Sequence, residues 1–262
     1  MKFDMHCHTR EGSIDSHVAI REYITILKSR GFGGMLVTDH DSYRGYRYWK
    51  KHQDTMPEGF VVLKGIEYDT RDAGHFIVIM PDGVNVRLLS VRGMRAEILS
   101  KLVHHYGGIL GPAHPYGMRS SSAMFFRKIR KHPEIMRRFD FLEGFNTCEL
   151  VSANIKARGL AREYGLPCIG GSDSHKSMYV GTAFTEFDRD ITCNNDLIDC
   201  IKNNGIVAFG GKERAFLRHH NKRYWKVTNY TLKTLNRSAS LLLKPYRKIK
   251  VLRMGLYDEN IE

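Results

Sequence analysis

Short apolar runs alternate with stretches of helical spacing through the first 175 residues. Phe3–Cys7, Gly34–Thr38, Phe60–Tyr68, His75–Met80, Gly108–Ala113, Phe139–Phe145 and Pro167–Gly171 are short, β-rich runs and predict strands. Val18–Arg30 places Val18, Ile20, Tyr23, Ile24 and Leu27 at helical spacing and stops at Gly31, which suits a helix C-terminus. Ala96–Tyr106, ending at Gly107-Gly108, and Ala153–Tyr164 predict two further helices. This βαβα rhythm predicts a parallel α/β architecture with no internal repeat. Polar residues fall at the ends of the apolar runs, where barrels and open α/β sheets place their chemistry.

The chain has 262 residues, 42% of them hydrophobic, which suits one sizeable core and is too short for two large domains. It has no apolar stretch long enough to span a membrane. The first apolar run begins almost at Met1 and leads straight into His6, which leaves no room for a signal peptide and points to the cytoplasm. The five cysteines are odd in number and form no CxxC pair, so they read as reduced thiols. The net charge of +13 is unevenly placed: residues 214–253 hold twelve Lys and Arg and no Asp or Glu. That divides the chain into a near-neutral body, 1–211, and a basic extension, 212–262, with the boundary near Gly210-Gly211.

The body carries the candidate chemistry. His6 and His8 follow a strand at i, i+2, so both imidazoles face one way and can grip one cation; a surface or stacked pair is the alternative. Asp39 and His40 close another strand, Glu67 sits near the end of a third, and Asp173 and His175 repeat the i, i+2 geometry. Asp15, His75 and His114 complete the set. Each has a bland reading, such as a helix-capping Asp or a solvated His. Their joint placement at strand ends favours a multi-metal hydrolase site. Cys7, between two candidate ligands, faces away from them and reads as core.

The segments FDMHCHT (3–9), VTDHDS (37–42), GIEY (65–68), HFIVI (75–79), GPAHPYG (111–117) and GGSDSH (170–175) resemble the polymerase and histidinol phosphatase (PHP) family of metal-dependent phosphoesterases. The resemblance covers residues 1 to about 210. It implies a distorted (β/α)7 barrel with two or three divalent metals, Zn, Mn or Fe, at the C-terminal ends of the strands. Carried over by motif, one metal takes His6, His8, Glu67 and Asp173. A second takes Asp15, His40 and His175. A third shares Glu67 and adds His75 and His114. At Asp15 the chain departs from the pattern: the family often has Ser-Asp-Gly, and here Ser13-Ile14-Asp15-Ser16 stands, with His17 as the nearby substitute.

The implied reaction is hydrolysis of a phosphomonoester, a small phosphorylated metabolite or nucleotide, by a hydroxide activated between the metals. His40 and His175 act as ligands, while Asp39 orients an imidazole or caps the next helix. Arg119, Lys176 and Arg44 are candidate phosphate clamps and Asn146 a candidate donor to substrate. The alternative activity is a 3′–5′ exonuclease or oligonucleotide phosphodiesterase. The basic extension mixes Lys and Arg with Tyr224, Trp225, Tyr230, Tyr246 and leucines. It has three readings: it wraps the barrel, it lies on an anionic membrane surface, or it binds a nucleic-acid strand.

Overall fold

The computed structural model describes residues 1–118, 121–213, 231, 234–235, 238, 241–242 and 244–254. Its strands are β1 (Lys2–Cys7), β2 (Gly34–Val37), β3 (Val61–Thr70), β4 (Gly74–Ile79), β5 (Ile109–Pro112), β6 (Leu142–Asn146), β7 (Cys168–Gly171), β8 (Ala183–Phe187) and β9 (Ile206–Gly211). Its helices are α1 (Ile20–Ser29), α2 (Arg44–Lys51), α3 (Ala96–His105), α4 (Arg127–Lys131), α5 (Val151–Tyr164), α6 (Asn194–Lys202) and α7 (Lys244–Arg253).

The helical spacing works as read for α1, which buries Ile20, Tyr23, Ile24 and Leu27. At its end Gly31 turns left-handed at φ 76°, and Phe32 N–H donates to the Leu27 carbonyl, closing the last turn. The helix starts two residues later than its apolar spacing suggests. Val18 lies in extended chain whose carbonyl accepts from Arg10 N–H, and the Ile20 N–H is capped by the Glu11 carboxylate at 3.0 Å.

A seven-stranded sheet runs β5-β4-β3-β2-β1-β8-β9, and β6 pairs with β7 separately. The parallel expectation holds for β1, β2 and β3 and for β6 with β7. It fails at β4, which is antiparallel to both β3 and β5. Only three residues separate β3 from β4, too few for a crossover, so the chain must reverse there. β8 is antiparallel to β1 and β9 to β8. The fold is therefore mixed α/β, with the sheet curled into a half-barrel.

The β6–β7 pair spans the open side of the curl. Asp140 N–H donates to the Leu110 carbonyl beside β5, and Asp173 N–H donates to the His6 carbonyl of β1. Both contacts need glycine. A Cβ on Gly111 would stand 2.3 Å from the Phe141 carbonyl oxygen, and one on Gly171 would stand 2.2 Å from the His6 Cβ. Inside the curl, Phe3, Met5, Leu36, Leu63, Ile77, Ile79, Ile109, Phe141 and Ile169 form an apolar plug. A larger cluster with Tyr68, Phe76, Leu102, Leu142 and Leu160 packs α3 and α5 against the sheet. Above the plug, the strand ends open onto polar side chains.

Candidate metal centre

Irregularities in the strands aim the ligands. The β1–β2 register shifts between Asp4 and Cys7. Met5 thus joins the interior plug while its neighbour His6 reaches the polar cluster above it, which strict alternation forbids. A second shift lies between Glu143 and Phe145 in β6. β4 runs backwards, so His75 enters the site from the beginning of its strand, whereas Glu67 comes from within β3 and Asp15 from the turn after β1. Three non-glycine residues of the site hold left-handed backbone: Asp41 (φ 47°), His114 (φ 29°) and Asp173 (φ 49°). Such conformations persist where surrounding structure enforces them, and they cluster at functional sites.

His6 Nε2, His8 Nε2, Glu67 Oε2 and Asp173 Oδ1 converge. The separations are 3.1 Å between the two imidazoles, 3.3 and 3.5 Å from His8 and His6 to Glu67, and 3.2 and 3.6 Å from His8 and His6 to Asp173. Nitrogen and oxygen donors placed tetrahedrally around a divalent cation of zinc size stand about 3.3–3.6 Å apart. Glu67 Oε2 and His175 Nε2 are buried and make no well-aligned hydrogen bond, although His40 Nδ1 and Asp15 Oδ2 stand 2.9 and 3.3 Å from them. Four facing donors whose lone pairs meet without aligned protons between them fit a cation far better than they fit each other.

The other donors flank this set. Asp15 Oδ2 lies 3.4 Å from His40 Nε2 and 3.3 Å from His175 Nε2. Glu67 Oε1 reaches His75 Nδ1 at 2.8 Å and His114 Nε2 at 2.9 Å. The structure thus brings all nine expected ligands together. His40 departs from a single grouping, because its Nδ1 faces Glu67 Oε2 at 2.9 Å while its Nε2 faces Asp15. His17 sends its backbone N–H to the His175 carbonyl, and its exposed side chain replaces nothing.

The far nitrogens of the imidazoles are held from outside. Nδ1 of His6 meets Glu143 Oε1 at 2.9 Å, Nδ1 of His8 meets Ser13 Oγ at 3.2 Å and Nδ1 of His114 meets Ser122 Oγ at 3.3 Å. His175 Nδ1 meets the Asp173 carbonyl at 3.1 Å. A proton held on Nδ1 leaves Nε2 as the free lone pair, so four rings are oriented as ligands in advance. Glu143 is the residue that sequence reasoning undervalued. Its second oxygen takes the His114 N–H at 2.6 Å, so one carboxylate fixes two ligands. The available signal was an acid within the buried strand Leu142–Asn146.

Two expectations change here. Asp39 contacts no imidazole. Its carboxylate accepts from Thr9 N–H and Oγ, from Ser13 Oγ and from Gly45 N–H in the first turn of α2. It therefore acts on His8 only through Ser13, and it also caps α2. Asn146 is buried with its amide protons held by Glu143 Oε2 at 3.0 Å and Asp173 Oδ2 at 3.2 Å, so it orients a ligand and has no free donor for substrate. Lys176 and Arg44 are exposed, and Arg119 lies outside the described residues.

Charge balance follows from this packing. Burial opposes ionisation of Glu67, yet His75, His40 and His6 hold its carboxyl well below the ordinary range. Burial pulls the His6 pKa down, and Glu143, Asp173 and Glu67 outweigh it and lift it well above the usual imidazole value. His8 moves the other way, lowered by burial and by His175 and His40 beside it. Access is graded. The side chains of His6, His8 and Glu67 are sealed, whereas His40 is 30% and Asp15 49% exposed. Reactants meet the cluster from the Asp15–His40–His175 side.

Residues 151–205, running from α5 to the end of α6, match a family model described as PHP-associated. The structure is similar to that of PsfC from Pseudomonas syringae, with TM-score 0.61 and 16% identity over 89% of this chain and 97% of that one. It is similar to a protein from Bifidobacterium adolescentis described as a metal-dependent phosphoesterase, with TM-score 0.54 and 13% identity over 76% of this chain and 95% of that one. It also resembles Endonuclease Q, solved with a 27-mer duplex carrying an abasic lesion at the active site. There the TM-score is 0.60 and the identity 15%, over 87% of this chain and 66% of that one. No curated protein sequence matches the chain. The resemblance to the PHP family is thus borne out in sequence across residues 151–205, and the fold is shared with these solved structures across most of the chain. The count of seven β/α units is not reproduced by the mixed sheet.

Proposed function

We propose that the chain is a metal-dependent phosphoesterase that hydrolyses a phosphomonoester, a small phosphorylated metabolite or a nucleotide. The observation that carries this reading is the convergence of His6, His8, Glu67 and Asp173 at cation-binding separations, with Glu67 extending through its other oxygen to a second set of imidazoles. His6, His8, Glu67 and Asp173 would hold one cation, Asp15, His40 and His175 a second, and His75 and His114 with Glu67 a third. Zn, Mn or Fe suits this mixture of imidazole and carboxylate. When bound, such ions lower the pKa of water and neutralise charge building on phosphoryl oxygens.

The protein's own residues do the rest. Glu143, Ser13 and Ser122 fix the rings so that no reorganisation accompanies the reaction. The exposed His40 and Asp15 mark where the phosphoryl group enters. Lys176, next to His175, and Arg44, at the start of α2, are the exposed cations that would meet it from outside.

The test is phosphate release from a panel of monoesters, with a short oligonucleotide beside it, in Mn²⁺ without chelator. His40→Ala removes turnover, by at least about 100-fold for loss of a ligand, and leaves the circular dichroism spectrum unchanged. Full activity in His40→Ala would discard the site as drawn. A second reading, a nuclease that uses the basic extension on the strand, is supported by the fold shared with Endonuclease Q and by the charge of residues 214–253. Turnover of the oligonucleotide alone would select it.

A further inference from the structure

Asp4 has no place in the chemistry described so far, yet its side chain is fully buried within β1. A carboxylate loses its water there, which is costly unless hydrogen bonds replace it. Among the described residues no cation stands against it, and its oxygens go to backbone donors instead. Oδ1 accepts from Ser172 N–H at 2.9 Å and from His6 N–H at 3.4 Å, and Oδ2 accepts from Gly181 N–H at 3.4 Å. The Ser172 hydroxyl is held in turn by Tyr23 Oη of α1 at 3.1 Å.

All three donors belong to segments on which the metal centre depends. His6 is a ligand. Ser172 and Gly181 stand at the two ends of the loop that carries Asp173 and His175. β7 and β1 lie in separate sheets and meet through the Asp173 N–H to His6 carbonyl bond and an isolated bridge between Cys7 and Ser174. At Ser172 the Asp4 side chain supplies the acceptor that a strand carbonyl would supply in a continuous ladder. We infer that Asp4 is a positioning residue for the metal centre: its carboxylate staples both ends of the 172–181 loop to β1 and so sets Asp173 and His175 against His6 before a cation arrives. The inference rests on the cation sites proposed above. It reaches both sides of the cluster, since Asp173 belongs with the sealed His6 and His8 while His175 faces the exposed Asp15.

Asp4→Asn tests it in the full chain. A carboxylate only accepts, whereas an amide turned either way sets its NH2 group against a backbone N–H. The comparison is Val103→Ala, a buried change in α3, which lowers stability without touching a ligand. Titration of the metal-free proteins with Co²⁺ separates the two. Asp4→Asn binds about 10–100-fold more weakly than the parent, and the absorption spectrum of its saturated complex differs, because displaced ligands change the field at the ion. Val103→Ala matches the parent in both. If Asp4→Asn lost stability but kept the parent's affinity and spectrum, Asp4 would be structural only and the inference would be overturned. Weaker binding with an unchanged spectrum would reduce Asp4 to a distant charge and overturn it as well. A parent that takes up no Co²⁺ would overturn the metal centre itself, and this inference with it. Should Asp4→Asn not fold, amide exchange in the metal-free parent decides. The Ser172 N–H exchanges slowly there if the staple precedes the cation; exchange that slows only after Co²⁺ is added would overturn the inference.

Discussion

Glu143 shows how much of this site lies one bond behind the ligands. One oxygen faces His6 Nδ1 and the other takes the His114 backbone N–H. Glu143→Gln keeps the shape and removes the charge that holds the His6 ring proton. It is expected to lower metal affinity or turnover by about 10–100-fold, read by metal content after dialysis and by kcat. The ligands themselves were legible because HxH, TDH and SDSH are dense local patterns. Glu143 was less so, because it reaches His6 from 137 residues further along the chain, and Ser13 and Ser122 lie only five and eight residues from their imidazoles but a lone Ser has no pattern to betray it. A pH dependence follows from His114. Burial pulls its pKa down, and Glu67, Asp173 and Glu143 outweigh that and lift it to about 9. A raised folded pKa favours the metal-free fold below the unfolded value of about 6.5, and this contribution is lost as pH rises through 9. A cation needs the same ring neutral, so loading tightens from pH 7 toward 9 and releases protons. Calorimetry in two buffers of different ionisation enthalpy measures that release, and identical heats would show that the rings are already neutral.

At the scale of elements, the apolar runs named the first seven strands, because those are buried on both faces and read as continuous β-rich runs. They did not reveal the direction of β4, which depends on a three-residue turn and not on hydrophobicity. β8 and β9 escaped the reading as well. β8 alternates buried Ala183, Thr185 and Phe187 with half-buried Phe184 and Glu186, a weak pattern over five residues. α2 escaped because RGYRYWKK buries only Gly45 and leans on half-buried Tyr46 and Trp49. The seam between β7 and β1 is where the elements bear most directly on the site. Gly171→Ala would press a methyl group on His6 Cβ, on His6 N at 2.8 Å and on Glu143 Oε1 at 2.9 Å. Overpacking of this kind costs about 1–3 kcal/mol, and here it also moves a ligand and its support. Urea unfolding would report the lost stability and metal content the displaced ring, whereas a fully loaded and equally stable variant would show that the seam yields.

For the whole molecule, charge separates two behaviours. The balanced body holds the ligands, and the cations collect after β9 ends at Gly211. Tyr224, Trp225 and Tyr230, which suggested stacking, lie outside the described residues, whereas Tyr246 falls in α7. Among the described residues no helix is long and apolar enough to cross a membrane. Turnover of a small monoester at the body is therefore expected to change little between 50 and 200 mM salt. Binding of an oligonucleotide by the extension would fall by orders of magnitude over the same range, as counterion release requires. Parallel salt titrations of kcat/KM and of oligonucleotide retention make the comparison, and equal slopes would place strand binding at the catalytic face.

The graded exposure of the ligands has a consequence for how the protein is handled. Its inner donors are sealed, while Asp15 and His40 open to solvent. Were ions held at both depths, as proposed, they would exchange on different clocks. A chelator would then be expected to strip the outer position first and leave the inner one filled, so that a preparation carrying metal by elemental analysis could still be catalytically silent. Metal content and competence would be separate quantities, and return of the last ion alone would restore the second.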